Sequence, residues 1–204
     1  MEVIEMRRRS ITAIIAFLIT TLVFSNITWA QKAPDGFCGL KWGTIKEKIK
    51  EMLNSIPNIY LLDFEDWISF MPDFEKSDWG KIGEVKVTQY RFNFSESGKF
   101  YEGSVDFPKY TLECPNNFDI LFKSLISKYG KPHKTIPLVL KINPNAKIGM
   151  HYEWTINNMI EITLWYDDME KRGINGTLVY SYLPIKREVQ KLKEKDVEKT
   201  KNKL

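Results

Sequence analysis

Histidine and cysteine are scarce in this chain: two of each in 204 residues. A zinc site built from those ligands, or catalysis that depends on histidine, has almost nothing to draw on. Charge of one sign is also missing, since 30 Lys and Arg stand against 26 Asp and Glu. Without a strong field, nucleic acid is not an expected partner. No Gly-x-Ser-x-Gly elbow, phosphate-cradling glycine loop or His-Glu-x-x-His occurs, so the chain carries no motif for a serine hydrolase, a nucleotide site or a zinc protease. No catalytic residue, cofactor site or metal site is assigned from the sequence.

What is present begins with a leader. Arg7, Arg8 and Arg9 precede an uncharged stretch from Ser10 to Ala30 whose apolar centre runs from Ile11 to Phe24. Thr28-Trp29-Ala30 then places small residues three and one before a cut near Ala30, the pattern of a secretory signal peptide over residues 1–30. The competing reading is a retained anchor, the chain's one route into a membrane, because 21 residues in a helix span about 30 Å. Its polar final third favours cleavage. The expected location is therefore periplasmic or secreted.

In an oxidising compartment the two cysteines, Cys38 and Cys114, are expected to pair as a structural disulfide; two buried free thiols are the alternative. No Cys-x-x-Cys supports a redox role.

Residues 36–184 read as one α+β domain. Thr44 to Ile56 is a predicted helix with a Thr44-x-x-Glu47 capping box and Ile45, Ile49, Met52, Leu53 and Ile56 on one face. Asn117 to Tyr129 is a second, closed by Gly130 and Pro132. Glu84 to Phe94 and Lys99 to Phe107 form a predicted hairpin across Ser95-Glu96-Ser97-Gly98. The apolar register of its first strand changes face between Val87 and Tyr90. Met150 to Ile156 alternates, turns at Asn157-Asn158 and returns over Met159 to Tyr166; Thr177 to Leu183 adds another strand. Ile59 to Phe70 is a weak strand candidate because of Asp63, Glu65 and Asp66, and the three prolines of residues 132–149 predict a long exposed loop. The sum is an antiparallel sheet of five or six strands covered by two helices, in an order that suggests a tandem helix-plus-strands repeat. Residues 185–204 form a Lys/Glu-rich tail, expected to be a solvated helix.

Three groups of residues carry the functional expectations. Trp67, Phe70, Phe74 and Trp79 lie in an acidic, non-periodic stretch and form a candidate recognition surface, with a cap folded over the sheet as the alternative. His151 and Glu153 share one side of a strand and read either as two polar residues on the wet face of a half-buried sheet or as two metal ligands, with His133 in the loop the only other imidazole; the latter belongs to the second functional reading, a small hydrolase or metal-dependent enzyme using Asp/Glu and His151. Asp167, Asp168 and Glu170 lack the ligand rhythm of a calcium loop and read as a solvated turn. The first reading is an exported, non-enzymatic binding protein whose partner is a protein or a cell-envelope component.

Several motifs resemble a loose family of small exported bacterial proteins. They are Gly39-Leu40-Lys41-Trp42-Gly43-Thr44 opening a helix, Phe100-Tyr101-x-Gly103-x-Val105-x-Phe107 on a strand, Leu125-x-x-Lys128-Tyr129-Gly130-Lys131-Pro132 closing a helix, and Tyr152-x-Trp154. The element order is similar to the tandem fold of β-lactamase inhibitory proteins, and a single repeat to the outer-membrane assembly lipoproteins of the BamE type. Those resemblances imply protein binding through a sheet surface without catalysis. The chain departs from the lipoproteins in lacking an acylated cysteine, and no functional residue carries over.

Overall fold

The computed structural model describes residues 32–73, 76–108, 117–140, 143–167 and 175–201. The chain divides into Met1–Lys32 and Ala33–Leu204. The centre of the second unit is an eight-stranded antiparallel sheet. The strands are β3 (Ile59–Asp63), β4 (Trp67–Pro72), β7 (Gln89–Phe94), β8 (Phe100–Pro108), β9 (Lys134–Leu140), β10 (Asn143–Ile156), β11 (Ile160–Asp167) and β12 (Asn175–Tyr182). They are ordered β3-β4-β7-β8-β12-β11-β10-β9. Two small hairpins accompany it, β1 (Gly36–Phe37) with β2 (Leu40–Lys41) and β5 (Lys81–Ile82) with β6 (Val85–Lys86). The α+β antiparallel expectation is met with a larger sheet than five or six strands. The helices are α1 (Lys46–Asn54), α2 (Asn117–Tyr129) and α3 (Leu183–Lys201). After α1 the sheet strands run outside-in as β3, β4, β7, β8; after α2 they run from the other edge as β9, β10, β11, β12; and β8 meets β12 at the centre.

Alternation along each strand writes one face in apolar residues. One cross-strand row runs Leu61, Phe70, Tyr90, Val105, Leu178, Leu164 and Tyr152 through seven strands. The same core takes Ile49 and Leu53 of α1 and Phe118, Leu121, Leu125 and Tyr129 of α2, so both helices cover this face. Phe118 meets Tyr166 edge-on at 4.5 Å and Phe122 meets Tyr152 at the same distance. Fully buried Trp154 donates its indole Nε1 to the Gly130 carbonyl at 2.8 Å, fixing the end of α2 to the sheet. Gly103 is small because Phe37 lies on it: a Cβ there would stand 2.1 Å from the Phe37 ring.

Several local expectations need correction. The α1 capping box does not form; Thr44 Oγ1 donates to the Lys41 carbonyl at 2.8 Å, Ile45 takes the N-cap position without a side-chain cap, and its own side chain is exposed. The acidic residues that argue against a strand at 59–70 mark a turn instead. Asp63 ends β3 within 2.8 Å of Lys46 Nζ and also pairs with Lys50, while Glu65 and Asp66 occupy the connection to β4. The predicted loop 132–149 holds all of β9 and the start of β10. Pro137 is tolerated because β9 is an edge strand, where a missing N–H costs no ladder bond. The register change after Val87 is a change of sheet: β6 pairs only with β5, and β7 enters the large sheet. Asn157 and Asn158 do turn with positive φ, 51° and 56°. The tail is helical, but α3 starts at Leu183 and buries Leu183 and Val189 before running out exposed from Gln190.

Candidate functional site

The face opposite α1 and α2 is built from the alternate residues of the same strands. Its first row is Trp67, Asn93, Glu102, Ser181, Glu161, Thr155. The second crosses all eight strands: Leu62, Ser69, Arg91, Ser104, Val179, Thr163, Glu153, Lys134. The third is Gln89, Asp106, Thr177, Trp165, His151, Ile136. On the central strands the residues are mostly short, while Arg91 and Asn93 on β7 and Trp165 on β11 rise beside them. A depression of about 400 Å³ results along the β8–β12 seam.

Hydrogen bonds hold this face in shape. Asn93 Nδ2 donates to Glu102 Oε1 at 2.8 Å, and Thr177 Oγ1 donates to Asp106 Oδ1 at 2.7 Å. Lys186 of α3 reaches in, 3.1 Å from Glu102 Oε2 and 2.8 Å from Glu161 Oε1, and donates to Ser181 Oγ at 3.0 Å. Burial opposes its charge, but the facing carboxylates of Glu102 and Glu161 together outweigh burial and keep its pKa above the ordinary lysine value. Lys134 is paired with Glu153 at 3.1 Å. Arg91 is exposed, makes no ion pair with a described residue, and carries its guanidinium 4.9 Å from the centre of the Trp67 ring, on which Phe64 stacks at 3.8 Å. Tyr60 and Met71 face one another on β3 and β4, 62% and 41% exposed.

The sequence-predicted recognition residues divide. Trp67 belongs to the outward face. Phe70 does not: it is fully buried, stacked on Tyr90 at 4.7 Å, because its register in β4 is that of the core. Trp79 is half-buried and packs edge-on to Phe70 and Tyr90, each at 5.4 Å, as a cap rather than a free surface. Phe74 lies outside the described residues, as do Asp168 and Glu170. His151 and Glu153 do share the outward face, but Glu153 is occupied by Lys134, and His133 Nδ1 accepts the Thr155 N–H at 3.1 Å. Among the described residues no cluster of three or more metal-ligating side chains occurs.

Among the described residues Cys38 has no sulfur partner; Cys114 lies outside them, and the predicted bridge with it. Although Cys38 is exposed as a residue at its turn, desolvation pushes its thiol up to about 12, and it acts electrostatically on Tyr90 and Tyr180. A thiol held that high is a poor nucleophile at neutral pH.

Tyr60, Met71, Arg91 and Trp165 were not singled out by sequence. The available signal was an aromatic or long cationic side chain in the polar register of an alternating strand, as Trp165 beside Leu164 and Arg91 between Tyr90 and Phe92. The chain matches no family model, no curated protein and no solved structure.

Proposed function

We propose that the chain is an exported, non-enzymatic binding protein, acting in the periplasm or outside the cell on a protein or cell-envelope component, with the outward sheet face as its recognition surface. One observation carries this reading: Tyr60, Trp67, Met71, Arg91 and Trp165 share the face that the two core-covering helices leave outward. Tyr, Trp, Met and Arg are the residue types enriched where proteins bind one another; Tyr and Trp bring large contact area with few rotamers, and Met and Arg bring adaptable reach. The leader of residues 1–30 supports export. We read the two helix-plus-four-strand halves, joined at β8 and β12, as a tandem repeat, which accords with the implied similarity to the fold of β-lactamase inhibitory proteins.

The test is affinity capture from the producing cell's envelope and culture medium with the wild-type chain, a Trp67→Ala/Arg91→Ala variant and a Glu51→Ala variant on α1. A partner retained by the wild type and the α1 variant and lost by the sheet variant is the expected outcome. Equal capture by all three contradicts the reading. Intact mass before and after reduction tests the accompanying proposals: a chain beginning near Gln31, and a Cys38–Cys114 bridge seen as a mass gain on reduction.

A further inference from the structure

The seam between β8 and β12 gives recognition on the outward face a shape as well as a composition. Ser104 and Val179 sit opposite each other on the two central strands, and Thr177 sits opposite Asp106. These side chains are short, so they make a floor. The walls come from the flanking strands, Arg91 and Asn93 on one side and Trp165 on the other, and Glu102 with its Lys186 partner stands toward one end. The volume of this open trough, about 400 Å³, falls within the range of sites that hold small ligands or single units of a chain.

We infer that this trough binds a neutral, hydroxyl-rich ligand, a glycan chain, an inference that rests on the reading of the sheet face as a recognition surface and names its ligand class. Three features lead there. The first concerns what the trough offers. Both of its central strands are hydrogen-bonded to a neighbour on each side, so their backbone N–H and C=O groups are already used and an extended peptide has no edge on which to add a strand. Recognition falls to side chains alone. Those present are planar polar groups, Arg91, Asn93 and Asp106, and the hydroxyl of Ser104, a set able to donate to and accept from adjacent hydroxyls in pairs.

Charge is the second feature. Lys186 is shared between Glu102 and Glu161, and the lining holds Arg91 and Asp106, so the trough and its end carry two cations against three carboxylates. A site with that balance has no means of holding a polyanion such as nucleic acid, which needs several uncompensated cations.

The third is the pairing of an aromatic wall with a polar one. Trp165 is half-buried beside Thr177, whose hydroxyl is committed to Asp106 Oδ1 at 2.7 Å. A sugar ring has an apolar C–H face and a hydroxylated rim, and an indole opposite carboxylate, amide and guanidinium groups complements both. The Asn93–Glu102 hydrogen bond holds Asn93 of the polar wall, and the Thr177–Asp106 hydrogen bond holds the floor, in place before any ligand arrives. Pre-ordering of this kind lowers the cost of binding.

The experiment is a printed array of neutral and acidic glycans probed with the full chain expressed with its own leader, followed by calorimetric titration of the strongest soluble hit. Binding confined to neutral glycans is expected. Trp165→Ala is expected to weaken it at least tenfold, about 1.4 kcal/mol. Asp106→Asn, which keeps an acceptor for Thr177, is expected to weaken it by a similar factor, while Glu51→Ala, exposed on α1 and away from the sheet face, leaves it unchanged. Far-ultraviolet circular dichroism of each variant establishes that it is folded. Absence of any bound glycan, binding of acidic glycans only, or equal affinity in the Trp165 and Asp106 variants overturns the inference. If no glycan binds yet a captured protein partner is lost on Trp67→Ala/Arg91→Ala, the ligand class is wrong and the recognition face stands; if capture is also indifferent to that variant, both fail.

Discussion

The two faces of the large sheet are made by the same strands, one residue apart, and they are governed by different physics. On the helix-covered face, Phe70, Phe92, Val105, Ile162, Leu164 and Trp154 are essentially inaccessible, so each contributes through burial and packing. On the outward face, Arg91, Ser104, Asp106, Thr163 and Trp165 keep some access to water and gain little stability from their position. Large side chains retained there point to recognition. At every pair of adjacent residues, the core member is therefore expected to set stability and the outward member to set binding.

The sharpest way to break that division is to truncate one tryptophan from each face. Trp154→Ala removes a fully buried indole and its hydrogen bond to Gly130, and urea denaturation is expected to show a loss of about 3–5 kcal/mol. Trp165→Ala is expected to cost less than about 1 kcal/mol. Comparable losses would mean that the faces do not divide the labour. Next in size is Gly103→Ala, where the new methyl would meet Phe37 and displace it from the core; overpacking of this kind costs about 1–3 kcal/mol in the same assay.

Lys186 tests the border between the faces, since it belongs to α3 yet pairs with outward-face carboxylates. Lys186→Met is expected to cost about 1 kcal/mol and to raise amide exchange in the first turns of α3 more than in α2. The pH dependence comes from the raised pKa: the pair's contribution is complete below the ordinary lysine value of 10.5 and is lost as pH climbs through the higher folded value. Asp63 behaves oppositely. Hydrogen bonds from Lys46 and Lys50 lower its pKa, so its contribution is present above 3.8 and disappears as pH falls through the lower folded value. Protection factors, which divide out the intrinsic pH dependence of exchange, are therefore expected to fall for β3 amides on acidification and for α3 amides on alkalinisation. The smallest effect is expected at the exposed end of α3, where Val197→Ser should change stability by no more than about 0.5 kcal/mol.

Much of this was legible in the sequence wherever local chemistry and tertiary demand agree. The α2 stripe from Phe118 to Tyr129, the Gly130 stop, the Asn157-Asn158 turn and the alternation of β10 and β11 all place the residues that the structure buries. Legibility failed where position within the sheet overrides local preference. Pro137 reads as a loop residue until β9 is known to be an edge, and Asp63 reads as a strand breaker until α1 brings Lys46 and Lys50 beside it. Phe70 looks like part of an aromatic surface because the acidic residues around it hide the period of two that sends it inward. The seam was least legible of all. Its floor and walls come from β7, β8, β11 and β12, and only the joining of the two halves brings them together.

The most direct test of the central claim places a photo-crosslinking amino acid at Thr163 on the outward face or at Lys123 on α2, in the full chain within producing cells, followed by mass spectrometry of the adducts. Specific adducts from Thr163, with none from Lys123, are the predicted result. Adducts from Lys123 alone, or the same adducts from both positions, would contradict an outward sheet face that binds the partner.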